Sequence, residues 1–251
     1  MNVVPWRYMK NSTWCLLFIF GFVLSSGCQA QSSGKEQDGN YRYESPSAGG
    51  IGKFYMGREI AGIMDFRGKD WLERQSRAQE ENTDLVIKNL PIHPASVVAD
   101  IGAGSGFYTF RVAPRIPNGK IYAVEIQESA LKFLEDRSKE LGYDHVFPVL
   151  GEEKSPNLPA NSLDLIYMVD VYHELEYPVE MLAAIRKALK PDGKLLLIEY
   201  RAEDPEVRIR ALHKMTVVQI QKELSANGFK LANNGQFMNI QHFLIFEKDD
   251  R

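Results

Sequence analysis

The chain has 251 residues, is 44% hydrophobic and 25% charged, and carries a formal charge of −3. That size holds one large domain or two small ones of ordinary globular composition, and the small negative charge with scattered basic residues excludes nucleic-acid binding by bulk electrostatics. Only two cysteines occur, Cys15 and Cys28, so the remainder has neither a disulfide framework nor a thiolate metal site. None of the five histidines is paired at ligand spacing, so no metal site is expected.

Arg7 and Lys10 precede an apolar run over 15–24, and Ser25-Ser26-Gly27-Cys28 follows it. A basic start, an apolar centre and a small-residue site predict a signal peptide over residues 1–28. The run is short for a membrane span, which takes about 20 residues. The Gly27-Cys28 junction resembles a bacterial lipoprotein signal, which implies a lipid on Cys28 as membrane anchor; Ser25 departs from that pattern, and cleavage near Ala30 is the competing reading. Either way the protein is expected to be exported, as a periplasmic or membrane-anchored lipoprotein. Residues 29–50 are rich in Gln, Ser, Gly, Asn and Glu and read as a flexible tether.

Order is expected from Ile51. Residues 51–94 read as an N-terminal helical arm or lid, with one helix from about Asp70 to Leu90 that Pro91 and Pro94 stop. Such an arm is placed to lie over a ligand site. From 95 to 251 strands and helices alternate. Strands are predicted at 97–101, 120–125, 146–150, 163–169, 194–199, 229–234 and 242–247. Helices are predicted at 108–113, 129–141, 179–189 and 216–227, with Gly142 ending the second and Thr216 and Gln219 spaced as a capping box for the last. Pro191-Asp192-Gly193 reads as a turn. The pattern predicts an α/β fold, a Rossmann-like three-layer sandwich. Its seven-stranded sheet is mostly parallel with an antiparallel C-terminal strand, since the last pair has only a short connection.

The stretch from Val97 to Tyr108, Val-Val-Ala-Asp-Ile-Gly-Ala-Gly-Ser-Gly-Phe-Tyr, organises this domain. A strand ends in Asp100 and Ile101, and Gly102, Gly104 and Gly106 follow at every second position. Glycines there permit a tight turn and let a ligand approach the backbone. The spacing is not the dinucleotide fingerprint, whose third glycine falls one position later at Phe107, and no Gly-Lys-Ser/Thr follows to make a P-loop. Acids stand at or just after the ends of successive strands, at Asp100, Glu125, Glu152 and Asp170, where ligands bind in such sheets.

The pattern resembles motif I of the class I S-adenosylmethionine-dependent methyltransferases, and the resemblance extends over most of 95–248. It implies S-adenosyl-L-methionine as cofactor. The glycine loop would lie against its methionine part, Glu125 would accept from the two ribose hydroxyls, and Glu152, chosen over Glu153, would meet the adenine amine. Asp170 and the Val171-Tyr172-His173-Glu174 segment would face the reacting methyl. Asp100 is open to two readings, a cofactor contact or a brace beneath the loop. His173 is the candidate base for an oxygen or nitrogen acceptor, against a structural role as a loop or helix-capping histidine. His213 lies in a region that often lines the acceptor pocket in the family. The acceptor, a small molecule or a protein, is unidentified. A non-catalytic exported ligand-binding lipoprotein on the same scaffold is the alternative.

Overall fold

A computed structural model of the chain describes residues 36–249. The signal-like segment, with Cys15 and Cys28, and the first part of the predicted tether lie outside the described residues. Among the described residues no helix is long and apolar enough to cross a membrane.

Strands β5 (Val97–Ile101), β6 (Lys120–Glu125), β7 (Val146–Leu150), β8 (Leu163–Val169), β9 (Leu189–Tyr200), β10 (Phe229–Gly235) and β11 (Gln241–Lys248) form one sheet, ordered β10-β11-β9-β8-β5-β6-β7. Pairs β5–β6, β5–β8, β6–β7 and β8–β9 are parallel; β11 runs antiparallel to both β9 and β10. The expected sheet is therefore present, with β11 as its reversed strand.

The central strands bury both faces, so alternate residues feed two cores. Val98, Ile121, Leu165 and Ile198 face α3 (Thr83–Asn89), α4 (Thr109–Val112) and α5 (Glu128–Leu141) through Val86, Phe110 and Leu134. Ala99, Val124, Ile166 and Leu197 face α6 (Pro178–Ala188) and α7 (Val217–Ser225) through Leu182, Ile185, Ile220 and Leu224. Helix α5 ends at Gly142 with φ +70, as its sequence predicts. Thr216 caps α7 by accepting from Gln219 N at 3.0 Å. The Gln219 amide does not complete the box, because it donates to Glu223 Oε1 at 2.8 Å instead. Residues 190–193 are not a separate turn. They interrupt the β8–β9 ladder, whose register jumps from Leu163↔Leu189 to Leu165↔Lys194. Gly193 lets that interruption pass the Leu163 carbonyl, which an added Cβ would approach to 2.6 Å.

The region before Pro91 differs from its expectation. Strands β1 (Glu36–Asp38), β2 (Tyr41–Tyr43), β3 (Gly50–Tyr55) and β4 (Arg58–Ala61) form an antiparallel sheet, so ordered strands begin within the predicted tether. Two-residue turns join β1 to β2 at Gly39-Asn40 and β3 to β4 at Met56-Gly57, where both φ values are positive. Such turns match the twist of a hairpin. Tyr41, Tyr55 and Ile60 are buried against Tyr177 and Val179, which supplies the core that an isolated hairpin lacks.

The single helix expected over 70–90 is three short ones: α1 (Lys69–Leu72), α2 (Arg77–Glu80) and α3. Asn82 adopts φ +47 and ends the run before α3. Arg74 and Arg77 turn inward and donate to the carbonyls of Trp71 and Leu72 at 2.9 and 3.0 Å, capping the broken end of α1. The same guanidinium groups meet the buried Glu81, so a tertiary ion-pair network overrides local helix propensity.

Candidate functional site

The loop after β5 folds back over the end of β6. Gly102 N and Ala103 N both donate to Val124 O, at 2.9 and 3.1 Å. Gly104, with φ +55, then brings its N–H to Glu125 Oε2 at 3.0 Å. A Cβ on Gly104 would stand 2.9 Å from Leu72 Cδ1 of the overlying arm. Glu125 is 5% exposed, and its other oxygen accepts from Ile126 N at 2.7 Å and Gln127 N at 3.0 Å. Its carboxylate thus joins the glycine loop to the start of α5.

A cavity of about 640 Å³ opens over these strand ends. Gly102, Gly104, Glu125, Glu152, Asp170 and His173 all line it. The sequence-predicted residues are therefore brought together, with two exceptions. Asp100 lies beneath the loop, buried, and Thr109 Oγ1 donates to it at 2.6 Å, so it braces the first turn of α4. Burial pushes its carboxyl up to about 7, against the hydrogen bond from Thr109. Gly106 also stands behind the wall, packed where a Cβ would meet Phe110 and Leu134.

The arm roofs the cavity with Ile63, Met64, Phe66, Trp71 and Leu72. It is fastened at several places, among them Ser105 Oγ, which donates to Glu73 Oε1. Phe66 N donates to Gln127 Oε1 at 2.9 Å while Gln127 Nε2 donates to Met64 O at 3.0 Å. Deeper in, Glu81 accepts from Arg77 Nε at 3.0 Å, Arg74 Nη2 at 3.0 Å and Tyr200 OH at 3.0 Å. The sequence reading missed this cluster because its members are local on the arm, whereas Tyr200 arrives from β9, over a hundred residues away.

Asp170 follows β8 with φ +55. Gln241 Nε2 donates to its Oδ2 at 2.7 Å, and its buried Oδ1 has no hydrogen-bond partner among the described residues. Burial, then the neighbouring Glu81 and Glu199 charges, raise its carboxyl well above the usual range, against Arg77 and the Gln241 bond.

At the far end, His173 Nδ1 lies 2.6 Å from Glu199 Oε2, and His173 Nε2 lies 3.0 Å from His213 Nδ1. Glu199 is fully buried on β9 and its Oε1 accepts from Tyr172 N at 2.8 Å. A carboxylate only accepts, so His173 carries its hydrogen on Nδ1 and presents the Nε2 lone pair. Arg58 on β4 holds the turn by donating to His173 O at 2.9 Å, while its fork closes on Glu223 at 2.9 and 3.0 Å. Glu199, Arg58 and Glu223 carried no sequence signal. They lie on other elements, and only the packing of β4 and α7 around the β8 turn gathers them.

Residues 99–195, from β5 into β9, match the profile of the family described as Methyltransferase domain. Over that stretch, less than half of the chain, the sequence is similar to methyltransferase domains. Among curated proteins it is similar to a tRNA U34 carboxymethyltransferase of Desulfotalea psychrophila. The two are 32% identical over 123 residues, 47% of this chain and 37% of that protein. It is also similar to a malonyl-[acyl-carrier protein] O-methyltransferase of Methylococcus capsulatus, 27% identical over 174 residues, 64% of this chain and 62% of that protein. The chain spans between about a third and two thirds of the length of these relatives. A solved SAM-dependent methyltransferase from Aquifex aeolicus shares the fold. Its TM-score is 0.69 at 23% identity, covering 73% of this chain and 98% of that one. Similarity to this family implies S-adenosylmethionine as cofactor, and the wall fits such a molecule. Seven carboxylates but four arginines line the cavity, a surplus of negative charge suited to a sulfonium cation. The volume lies within the ordinary range for ligand pockets, about 300–1,000 Å³.

Proposed function

We propose that the protein is an S-adenosylmethionine-dependent methyltransferase whose acceptor carries an ionisable O–H or N–H group placed at His173. The carrying observation is a single cavity bounded by the glycine loop and Glu125 at one side and by His173 and Glu174 at the other. Gly102 and Gly104 would cradle the methionine part, Glu125 the ribose, and Glu152 beside Ile126 and Pro156 the adenine. Asp170 stands between the two ends.

The bound cofactor supplies a methyl group already activated on a sulfonium, so the chain must orient the acceptor and exclude water. The arm does the second, because Ile63, Met64, Trp71 and Leu72 cover the site with apolar surface. His173 does the first: Glu199 holds its ring in the tautomer whose Nε2 lone pair meets His213 Nδ1 at 3.0 Å, and an acceptor that takes the place of His213 there gives its proton to Nε2. Asp100 and Gly106 act from behind the wall, ordering the loop rather than touching the cofactor.

Export belongs to the same proposal. Arg7, Lys10, the apolar run over 15–24 and Gly27-Cys28 support delivery across the inner membrane with a lipid on Cys28. Fractionation of a Cys28→Ser variant tests it. Loss of membrane association supports the anchor, and an unchanged membrane fraction at unchanged mature size refutes it. For the activity, titration calorimetry of the full chain with S-adenosylmethionine should show one saturable site. No heat at millimolar cofactor from folded protein would overturn the reading, and binding without turnover on a broad acceptor panel would favour a sensor on the same scaffold.

A further inference from the structure

Beyond the cofactor pocket, three side chains from two distant parts of the chain converge at its acceptor end. We propose that His173, Glu174 and His213 form a binding site for a divalent transition-metal cation such as Zn²⁺. One ligand atom from each lies within 4.8 Å of the others. The separations are 3.0 Å between His173 Nε2 and His213 Nδ1, 3.4 Å between His213 Nδ1 and Glu174 Oε1, and 3.8 Å between His173 Nε2 and Glu174 Oε1. Tetrahedral ligands at bond lengths of about 2.0–2.1 Å stand roughly 3.4 Å apart, so the triangle matches the base of such a site. Two imidazoles and one carboxylate are donors that suit zinc and its neighbours rather than magnesium or calcium.

The surroundings are those of a built site. A metal-bound imidazole ordinarily donates its other N–H to a carboxylate or carbonyl, which sets the tautomer and strengthens the ligand. His173 does so to the fully buried Glu199 at 2.6 Å. Glu199 is itself fixed by Tyr172 N, and the His173 backbone is held by Arg58. Glu199 is thus a positioning residue, since it touches neither cation nor acceptor. All three proposed ligands line the cavity, so the remaining coordination position faces it. When the cation takes His213 Nδ1, the hydrogen on that nitrogen is exchanged through solvent for one on Nε2, so both imidazoles bind as neutral donors and no net proton is released.

The role of the cation rests on the methyltransferase reading: its open position binds an oxygen of the acceptor, and the coordinated hydroxyl becomes a stronger acid. Its proton passes to bulk water. With the cation bound, the Nε2 lone pair of His173 is committed and no longer serves as base. The acceptor class narrows accordingly to oxygen nucleophiles.

The test uses the full chain, stripped with a chelator, dialysed and titrated with Zn²⁺ alone against a chromophoric competitor. One Zn²⁺ per chain is expected. His213→Ala should abolish that binding, and Glu199→Gln should weaken it about 10- to 100-fold. His213 is part-exposed on a short turn, so its variant should keep the circular dichroism and unfolding midpoint of the stripped wild type. Glu174→Gln provides a second ligand variant. Failure of the wild type to hold Zn²⁺ would overturn the proposal, as would equal binding by wild type and His213→Ala, which would locate the metal elsewhere, for instance at the cysteines. S-adenosylmethionine titration of the stripped protein separates the two readings: cofactor binding without zinc binding removes the metal site alone, and zinc binding without cofactor binding leaves the site but removes its role.

Discussion

Glu125→Gln isolates the contact on which the cofactor assignment depends. An ionised carboxylate offers about four lone-pair directions. In the structure three are taken, two on Oε1 by Ile126 N and Gln127 N, and one on Oε2 by Gly104 N. One direction on Oε2 therefore remains for a ribose hydroxyl. A second hydroxyl would have to share with the Gly104 N–H. A hydrogen bond to a charged acceptor contributes about 1.5–3 kcal/mol, which predicts cofactor binding weakened roughly 10- to 150-fold. Gln keeps the side-chain shape, and one oxygen still accepts from the backbone. Glu125→Ala removes the backbone contacts too and should lower the thermal midpoint in addition to affinity. Calorimetry with S-adenosylmethionine reads the first effect, and thermal unfolding without cofactor reads the second. Affinity within twofold of wild type in the Gln variant, with its fold intact, would refute the ribose role of Glu125.

Other perturbations address the loop, the arm and the buried acids. Gly104→Ala forces a Cβ toward Leu72 at a left-handed φ, a strain of about 1–2 kcal/mol; denaturant unfolding should show that loss, and calorimetry a weaker cofactor. Arg77 is 5% exposed and bonds to the 1% exposed Glu81, so Arg77→Met should destabilise the chain by about 3–5 kcal/mol in urea titrations, a buried pair having been broken on one side. Asp100 has its carboxyl raised to about 7, so between pH 4 and pH 7 the folded state holds a proton that the unfolded state has released. Its contribution therefore falls as pH rises through that window and levels off above it. Asp100→Asn should flatten this decline, and a pH series of unfolding midpoints with the same slope in both proteins would contradict the assignment.

The seven-stranded sheet was legible because its strands carry short apolar runs broken by proline, glycine or an acid. These features act locally. Gly142 and Thr216 end and start helices through their own backbone neighbourhood. The loop at 102–106 was legible for the same reason, since positive φ at closely spaced positions requires glycine. The strands at 36–61 were harder to see, although Gly39-Asn40 carries a hairpin signal. Their apolar residues form no long alternating run, and Tyr41, Tyr55 and Ile60 become a core only against Tyr177 and Val179.

The amino-acid order by itself determined the alternation of elements, the sheet class and the acids at strand ends, all of which follow from periodicity and backbone freedom over a few residues. Tertiary structure alone decided which acids face the cavity and which brace it. Asp100 is sealed behind the loop whereas Glu125 forms part of the cavity wall. It alone broke the 70–90 helix, through Arg74, Arg77 and Glu81. It also brought His213 within 3.0 Å of His173 across forty positions of sequence. Spacing along the chain cannot report such a meeting, because ligand geometry is set by how β8, β9 and the segment after β9 pack together.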